Sequence, residues 1–392
     1  MPARVSLGLF YLSYFGVLGV YLPYFTLYLE RLGFDALQIA IVAAILPLGK
    51  ATAPIAWGML ADRSGRRREL TIVSLGLSVA ALLWLLGARQ FAAVAGVMAA
   101  YALVNSGALP LVEATALETV GGSGYGATRV WGSVGFILFA GVWGVLLDQA
   151  EIRWVVYGLA GLSALNFLST LGVPRAAPHT AEAGASGGAV TRRGAVTLFF
   201  ASTLLQQASH GPYYAYFSLH LNGLGWSRAA IGSAWVVGVL SEVLMMVWSA
   251  RLSARWGLGA LLGLTHAAAI ARWGLLAWIS NPAAILLSQT LHALTFGAFH
   301  VSSVRRTQEL FPPSRRALGQ SLYSALTYGA GSAIGMLGGG FLHDRLGVRG
   351  LFAAGAAAAF LSLAAQLASD ALASRHATRR ASRGDDPTET GS

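Results

Sequence analysis

The chain has no cysteine and a single lysine in 392 residues, and only 11% of its residues are charged. Without cysteine there can be no disulfide, thiol nucleophile or Cys-ligated metal, and compartment is left open. A soluble chain carries about 25% charged residues. Set beside 55% hydrophobic residues and a mean hydropathy of +0.60, the scarcity of charge excludes a soluble globular protein. An HExxH motif, a P-loop and a nucleophile elbow are also missing, which argues against an enzyme and against primary pumping, so no cofactor is expected. The charged residues are dispersed and no filter-like repeat occurs, which argues against a channel. The first apolar run, 5–29, is too long and too aromatic for a signal peptide and has no small-residue cleavage site, so it is expected to remain as a span.

What is present is a series of apolar runs, each long enough to cross a bilayer as a helix. Twelve are read: 5–29, 37–60, 69–88, 91–118, 125–147, 153–173, 196–220, 229–251, 258–280, 283–310, 318–342 and 350–372. The expected class is therefore an all-α membrane protein of twelve transmembrane helices in two pseudo-symmetric six-helix bundles. The expected domains are an N-terminal bundle over 1–173 and a C-terminal bundle over 196–373. Between them an Ala/Gly/Ser-rich flexible linker spans 174–195, and a disordered tail follows over 374–392. Gly132, Gly135, Gly141 and Gly144, and Gly331, Gly335 and Gly339, form small-residue faces suited to close helix packing.

Between the second and third runs lies a polar turn, 58–68, with Gly58, Asp62, Arg63, Gly65, Arg66, Arg67 and Arg68. Alternating the loops between sides puts nineteen arginines on this turn's side and six on the other. By the positive-inside rule that side, with both termini, is cytoplasmic. The net charge of +11 thus reports orientation, and no nucleic-acid partner is expected. The turn has an echo 192 residues on, where Leu252, Arg255 and Gly257 stand for Leu60, Arg63 and Gly65, with Ala254 in place of the acid. A second echo pairs Gly144 and Asp148 with Gly340 and Asp344 at an offset of 196. An internal repeat of two halves predicts such shared punctuation.

Charge inside a bilayer costs several kcal/mol and needs a partner, a cavity or a function. Lys50, Asn105, Glu113 and Arg129 fall inside spans of the first half, and His210, Glu242, His266, Arg272, His292 and His300 inside spans of the second. Glu113 and Arg129 lie on consecutive antiparallel runs and are either an ion pair or a carboxylate beside a snorkelling arginine. Lys50 meets either substrate or an acid. Glu242 and Arg272 are either a static bridge or a proton-coupling pair. On the tenth run Gln289, His292, Phe296, Phe299 and His300 share one helical face. On the seventh, Gln206, Gln207, His210, Tyr213, Tyr214 and Phe217 do so beside Gly211-Pro212, and on the first Tyr14, Leu18, Tyr21 and Phe25 form an aromatic face. Three such faces in one chain favour a central aqueous pathway.

The turn 58–68 resembles the loop signature of the major facilitator superfamily, and the twelve-run layout agrees over 5–372. The segments Tyr125-Gly126-Ala127-Thr128-Arg129-Val130-Trp131-Gly132, His210-Gly211-Pro212-Tyr213-Tyr214 and Leu291-His292-Ala293-Leu294-Thr295-Phe296 narrow the resemblance to its phenylpropionate permease group. That group is similar in outline to lactose permease-type proton symporters. They carry acid and arginine on helices four and five, acid on eight, arginine on nine and histidine on ten, where Glu113, Arg129, Glu242, Arg272 and His292 fall here. In those symporters an acid follows the histidine by one turn, whereas this chain has Thr295, so Glu242 is the substitute proton site. The Gly-Pro signature of drug antiporters is absent from 131–147.

The resemblance implies proton-coupled uptake of a small organic solute by alternating access, in a bacterial inner membrane and as a monomer. Glu242, Arg272 and His292 are the expected proton-coupling residues. Expected substrate contacts are Arg129, Trp131, Tyr21, Asn105, Glu113, His210, Tyr214, Gln289, Phe296 and His300. Gly58, Asp62, Arg63, Gly65 and Arg66 are the expected conformational latch, and Lys50 is a further intramembrane charge. Arginine forks beside aromatic faces suit an aromatic monocarboxylate. The alternatives are a sugar or nucleoside symporter, for which Trp131, Asn105 and Gln289 would stack on and bond a neutral ring, and a non-transporting sensor.

Overall fold

The structure is a computed structural model that describes residues 3–175 and 193–381. Of the expected linker over 174–195 and disordered tail over 374–392, residues 176–192 and 382–392 lie outside the described residues; 193–195 already belong to a helix, and 374–381 continue the last helix instead of a disordered tail. Within them every regular element is helical and no strand occurs. We number the transmembrane helices α1 (Ala3–Arg31), α2 (Ala36–Ser64), α3 (Arg67–Leu85), α4 (Phe91–Gly121), α5 (Gly124–Gln149) and α6 (Trp154–Thr170) in the first half. The second half has α7 (193–223, interrupted at His210), α8 (Arg228–Trp256), α9 (Leu258–Trp278), α10 (Pro282–Leu310), α11 (313–346) and α12 (348–381). The break between α11 and α12 falls at Gly347, and that between α4 and α5 at Gly121. This is the expected twelve-helix, two-bundle fold of a multi-pass membrane protein.

Local chemistry sets several ends. Asp35 accepts from the Gln38 amide while the Gln38 side chain accepts from the Asp35 amide, a capping box that starts α2. Gly65 ends α2 with φ at +64°, where a Cβ would cost roughly 1–2 kcal/mol. Asn281 caps α10 and Pro282 occupies its first turn.

In the first half α1 packs along α5 and α6; in the second α7 packs along the 313–374 segment. These seams run backbone to backbone. A Cβ on Gly135 would overlap the Leu12 carbonyl, and one on Gly335 the Ala208 carbonyl. Backbone cannot swing aside as a side chain can. Gly335→Val is therefore expected to lower the detergent-solubilised melting temperature by at least the equivalent of an overpacked core site, about 1–3 kcal/mol. An unchanged melting curve would refute that packing.

The halves meet where α5 faces α8 and where α2 faces α11. The hydrogen bonds joining them among the described residues cluster at the end opposite the 58–68 turn, which we call the arginine-poor end. Asp148, at the end of α5, accepts from the Arg228 and Ala229 amides at 2.6 and 3.2 Å, so an acid of one half sits on the first turn of α8 in the other. Tyr216 donates to the Ala36 carbonyl at 2.8 Å, while Tyr24 donates to the Ala140 carbonyl of its own half at 2.5 Å and stands 3.4 Å from the Arg228 carbonyl. The two tyrosines stand 192 residues apart and so do the two carbonyls they approach, the offset of the sequence echo, but only Tyr216 spends its proton across the interface. Asn222 adds a bond to Glu30 at 3.3 Å.

At the arginine-rich end the 58–68 turn is tied within its own half. Arg67 pairs with Glu118 at 2.7 Å and stands 3.9 Å from Asp62, while Arg68 donates to the Val173 and Leu171 carbonyls. Asp62, with a side chain 68% exposed, has no partner in the second half among the described residues.

Candidate functional site: a central cavity between the halves

Between the halves, towards the arginine-rich end, lies a cavity of about 600 Å³. Phe15 and Leu18 of α1, Tyr125 and Arg129 of α5, Tyr213 and Tyr214 of α7, Trp235 and Glu242 of α8, and His292, Phe296 and His300 of α10 line it. A second lobe of about 200 Å³ shares Leu18, Leu22, Tyr214 and Phe296 with it and is closed by Lys50, Tyr21, Gln207 and Tyr328. Two of the helices concerned widen into a π turn where they meet the cavity, α10 over Ala293–Ala298 and α11 over Ala325–Gly331. Such turns shift the helical phase and recur at functional sites.

Beneath the cavity floor sits Arg272 of α9, wholly buried. Its Nη1 donates to His292 Nδ1 at 2.9 Å and to Thr295 Oγ1 at 3.1 Å, and its Nη2 donates to Gln289 Oε1 at 2.8 Å. The guanidinium lies over the Tyr213 ring at 4.4 Å and the Trp273 ring at 4.8 Å. Tyr213 also donates to Gln289 Oε1, at 3.1 Å. Arginine has only donors, so His292 Nδ1 must be the acceptor. The neutral ring then carries its hydrogen on Nε2, which lies 3.5 Å from Glu242 Oε2. Glu242 is thus linked to Arg272 through an imidazole. The direct Glu242–Arg272 bridge held open by the sequence does not form, because His292 stands between them.

Arg129 and Glu113 do meet, at 3.4 Å with both side chains about one-third exposed, and the guanidinium lies 4.2 Å over Phe15. His300 Nδ1 bonds the Tyr328 hydroxyl at 2.9 Å, and that hydroxyl is 3.2 Å from Tyr323.

A transmembrane fold of two repeated halves around such a cavity is a transporter architecture, and sequence comparison agrees. The family model of the MFS_1 like family matches residues 4–354. The chain belongs to this family. This MFS_1 like transporter is 28% identical over 354 residues to a probable 3-phenylpropionic acid transporter of Escherichia coli K12, covering 87% of this chain and 91% of that one. It is also 28% identical over 353 residues to a maltose permease of Geobacillus stearothermophilus, covering 86% and 87%. In fold it is similar to the crystal structure of a point mutant of the nucleoside transporter NupG, with a TM-score of 0.85 at 19% identity over 94% of this chain and 99% of that one.

Not every expected contact of this MFS_1 like transporter lines the central cavity. Trp131 is 49% exposed, packs on Gly8 and faces a surface recess with Arg4 and Thr128. Two residues beyond Arg129, it stands about 200° round the helix from it. His210 is fully buried behind Tyr214 and Trp273, with Nδ1 on the Gln206 carbonyl at 2.8 Å. Gln289 is consumed by Arg272 and Tyr213. Asn105 lies with Tyr21 and Lys50 in a closed pocket of the first half and donates to Ser78 at 3.4 Å. Sequence reading missed Trp235 and Tyr328, and treated Thr295 only as a lost acid. For Trp235 the available signal was its place two turns before Glu242 on α8.

Proposed function

We propose that this protein is a proton-coupled symporter that takes up a small organic solute, with an aromatic monocarboxylate of the 3-phenylpropionate kind as the substrate class. It works by alternating access in a bacterial inner membrane, with both termini cytoplasmic, as a monomer with lipid, protons and solute as its partners. One observation carries the reading: Glu242 faces the cavity while its neighbour His292 is committed to Arg272, so Glu242 is the carboxylate free to exchange a proton with solvent in the open path. Protonation would release the His292 contact and let the cavity walls move. The aromatic lining of Phe15, Tyr214, Trp235 and Phe296 suits a planar ring, and the E. coli relative's name is consistent with it.

The conformation has the character of an inward-facing state: clasped at the arginine-poor end, with the cavity on the arginine-rich side. Asp62 and its arginines would then latch only when the cytoplasmic side closes, in keeping with their freedom from the second half here. Tyr216→Phe removes one clasp bond of about 1 kcal/mol, which is about a fivefold population shift. With no native cysteine, a single thiol placed at Ala43 in the side lobe can report it. Labelling by an impermeant maleimide from the arginine-poor side should rise by about that factor in Tyr216→Phe, and equal labelling would remove Tyr216 from the clasp.

The test is uptake of labelled 3-phenylpropionate, maltose and uridine into proteoliposomes, with and without an inside-alkaline gradient. Gradient-driven accumulation of the acid alone is expected. Accumulation of maltose or uridine in its place would move the assignment to the neutral-solute reading that the maltose permease relative favours.

A further inference from the structure

Lys50 is the lysine of this chain; it stands mid-helix on α2 between Pro47 and Pro54, with its side chain exposed and lining the 200 Å³ side lobe. No hydrogen bond or ion pair engages it among the described residues. An unpaired cation on the wall of a cavity inside a span is placed to receive an anion. The two other cations near the path are occupied. Arg272 is wholly buried and spends its fork on His292, Thr295 and Gln289; Arg129 is paired with Glu113. Tyr21 lines the same lobe, and its hydroxyl is buried without a hydrogen-bond partner. Across the lobe stand the rings of Tyr214, Phe296 and Tyr328.

We propose that Lys50 and the Tyr21 hydroxyl form the anion subsite of the transported solute, taking its carboxylate while the ring lies against Tyr214, Phe296 and Tyr328. The proposal rests on the aromatic-monocarboxylate reading and makes it specific: the acid is anchored on the first half and the ring on the second. A solute held by both halves would draw them together as it binds, with the proton site on α8 next to its ring end. Arg272 becomes a positioning residue for His292 and touches no solute.

The test compares binding of 3-phenylpropionate and its neutral isostere 3-phenylpropanamide to the purified full-length protein, read by tryptophan fluorescence. Wild type should prefer the acid. Lys50→Met should weaken acid binding about tenfold or more and leave the amide unchanged, and Lys50→Arg should restore part of the preference. Solute-free Lys50→Met should also melt no lower than wild type, because it loses an unpaired cation; a cation in a structural ion pair would do the opposite. Tyr21→Phe, which keeps the ring, should weaken the acid severalfold and spare the amide. Acid preference retained in both Lys50→Met and Tyr21→Phe, or lost instead in Arg129→Gln, overturns the Lys50 subsite and leaves the monocarboxylate reading standing. A wild type that binds the amide as well as the acid overturns both.

Discussion

Glu242→Gln should abolish accumulation of solute against its gradient while preserving counterflow between solute-loaded vesicles and medium. Glutamine keeps the shape and hydrogen-bonding capacity of a protonated glutamate but can neither take nor release a proton. Its amide oxygen can still accept from His292 Nε2, where the carboxylate stands at 3.5 Å. The variant should therefore fold and bind solute, and should move it only downhill, with a rate that no longer varies with pH. The measurement is accumulation ratio and counterflow rate across pH 5–9. Accumulation persisting in Glu242→Gln would move the proton site to His300, the other cavity-lining imidazole with a titratable neighbour, Tyr328.

The second large effect is expected at Arg272. Arg272→Met removes the donors that hold His292 Nδ1, Thr295 Oγ1 and Gln289 Oε1, and lifts a cation off the faces of Tyr213 and Trp273. Several buried polar atoms lose their partner together, at about 1–3 kcal/mol each before repacking. Methionine fills part of the volume, so a net loss of about 3 kcal/mol is expected in denaturant or thermal unfolding. A second readout separates this from simple damage. With Nδ1 released, His292 can hold protons on both nitrogens and pair with Glu242 as a cation, so the pH profile of uptake should change shape in whatever protein folds. Arg272→Lys should not rescue either property, because one ammonium cannot span His292 and Gln289 as the fork does. A variant with wild-type stability and pH profile would show that Arg272 positions nothing.

Much of the architecture could be read from spacing. Run lengths near those of a bilayer helix, and an echo of Leu60, Arg63 and Gly65 at 192 residues, announced twelve helices in two halves. The same offset returns between the halves, where Tyr24 stands near the Arg228 carbonyl and Tyr216 bonds that of Ala36, although neither tyrosine stood out from its helix in sequence. Of the glycine faces, Gly132 and Gly135 lie against α1 and Gly331, Gly335 and Gly339 against α7, while Gly144 also abuts α8 and Gly141 meets no neighbour within 4 Å. The site was less legible, for a physical reason. Assigning Gln289, His292, Phe296, Phe299 and His300 to one face assumes a uniform α-helix, and α10 contains a π turn in that stretch. His292, Phe296 and His300 line the cavity while Phe299 packs on His266 with ring centres 5.8 Å apart, and Gln289, before the π turn, is taken with His292 by Arg272. Periodicity also cannot tell which neighbour a buried charge selects. Glu242 and Arg272 stand out in the sequence as two charges in need of partners, but the imidazole between them belongs to a third helix.

The most direct test of proton coupling through Glu242 is the proton movement itself. Addition of 3-phenylpropionate, fully ionised at pH 7.5, to wild-type proteoliposomes in weakly buffered medium should make that medium more alkaline as solute and protons enter together. The signal should vanish with a protonophore and be absent in Glu242→Gln. Solute entry with no change in external pH would contradict the account.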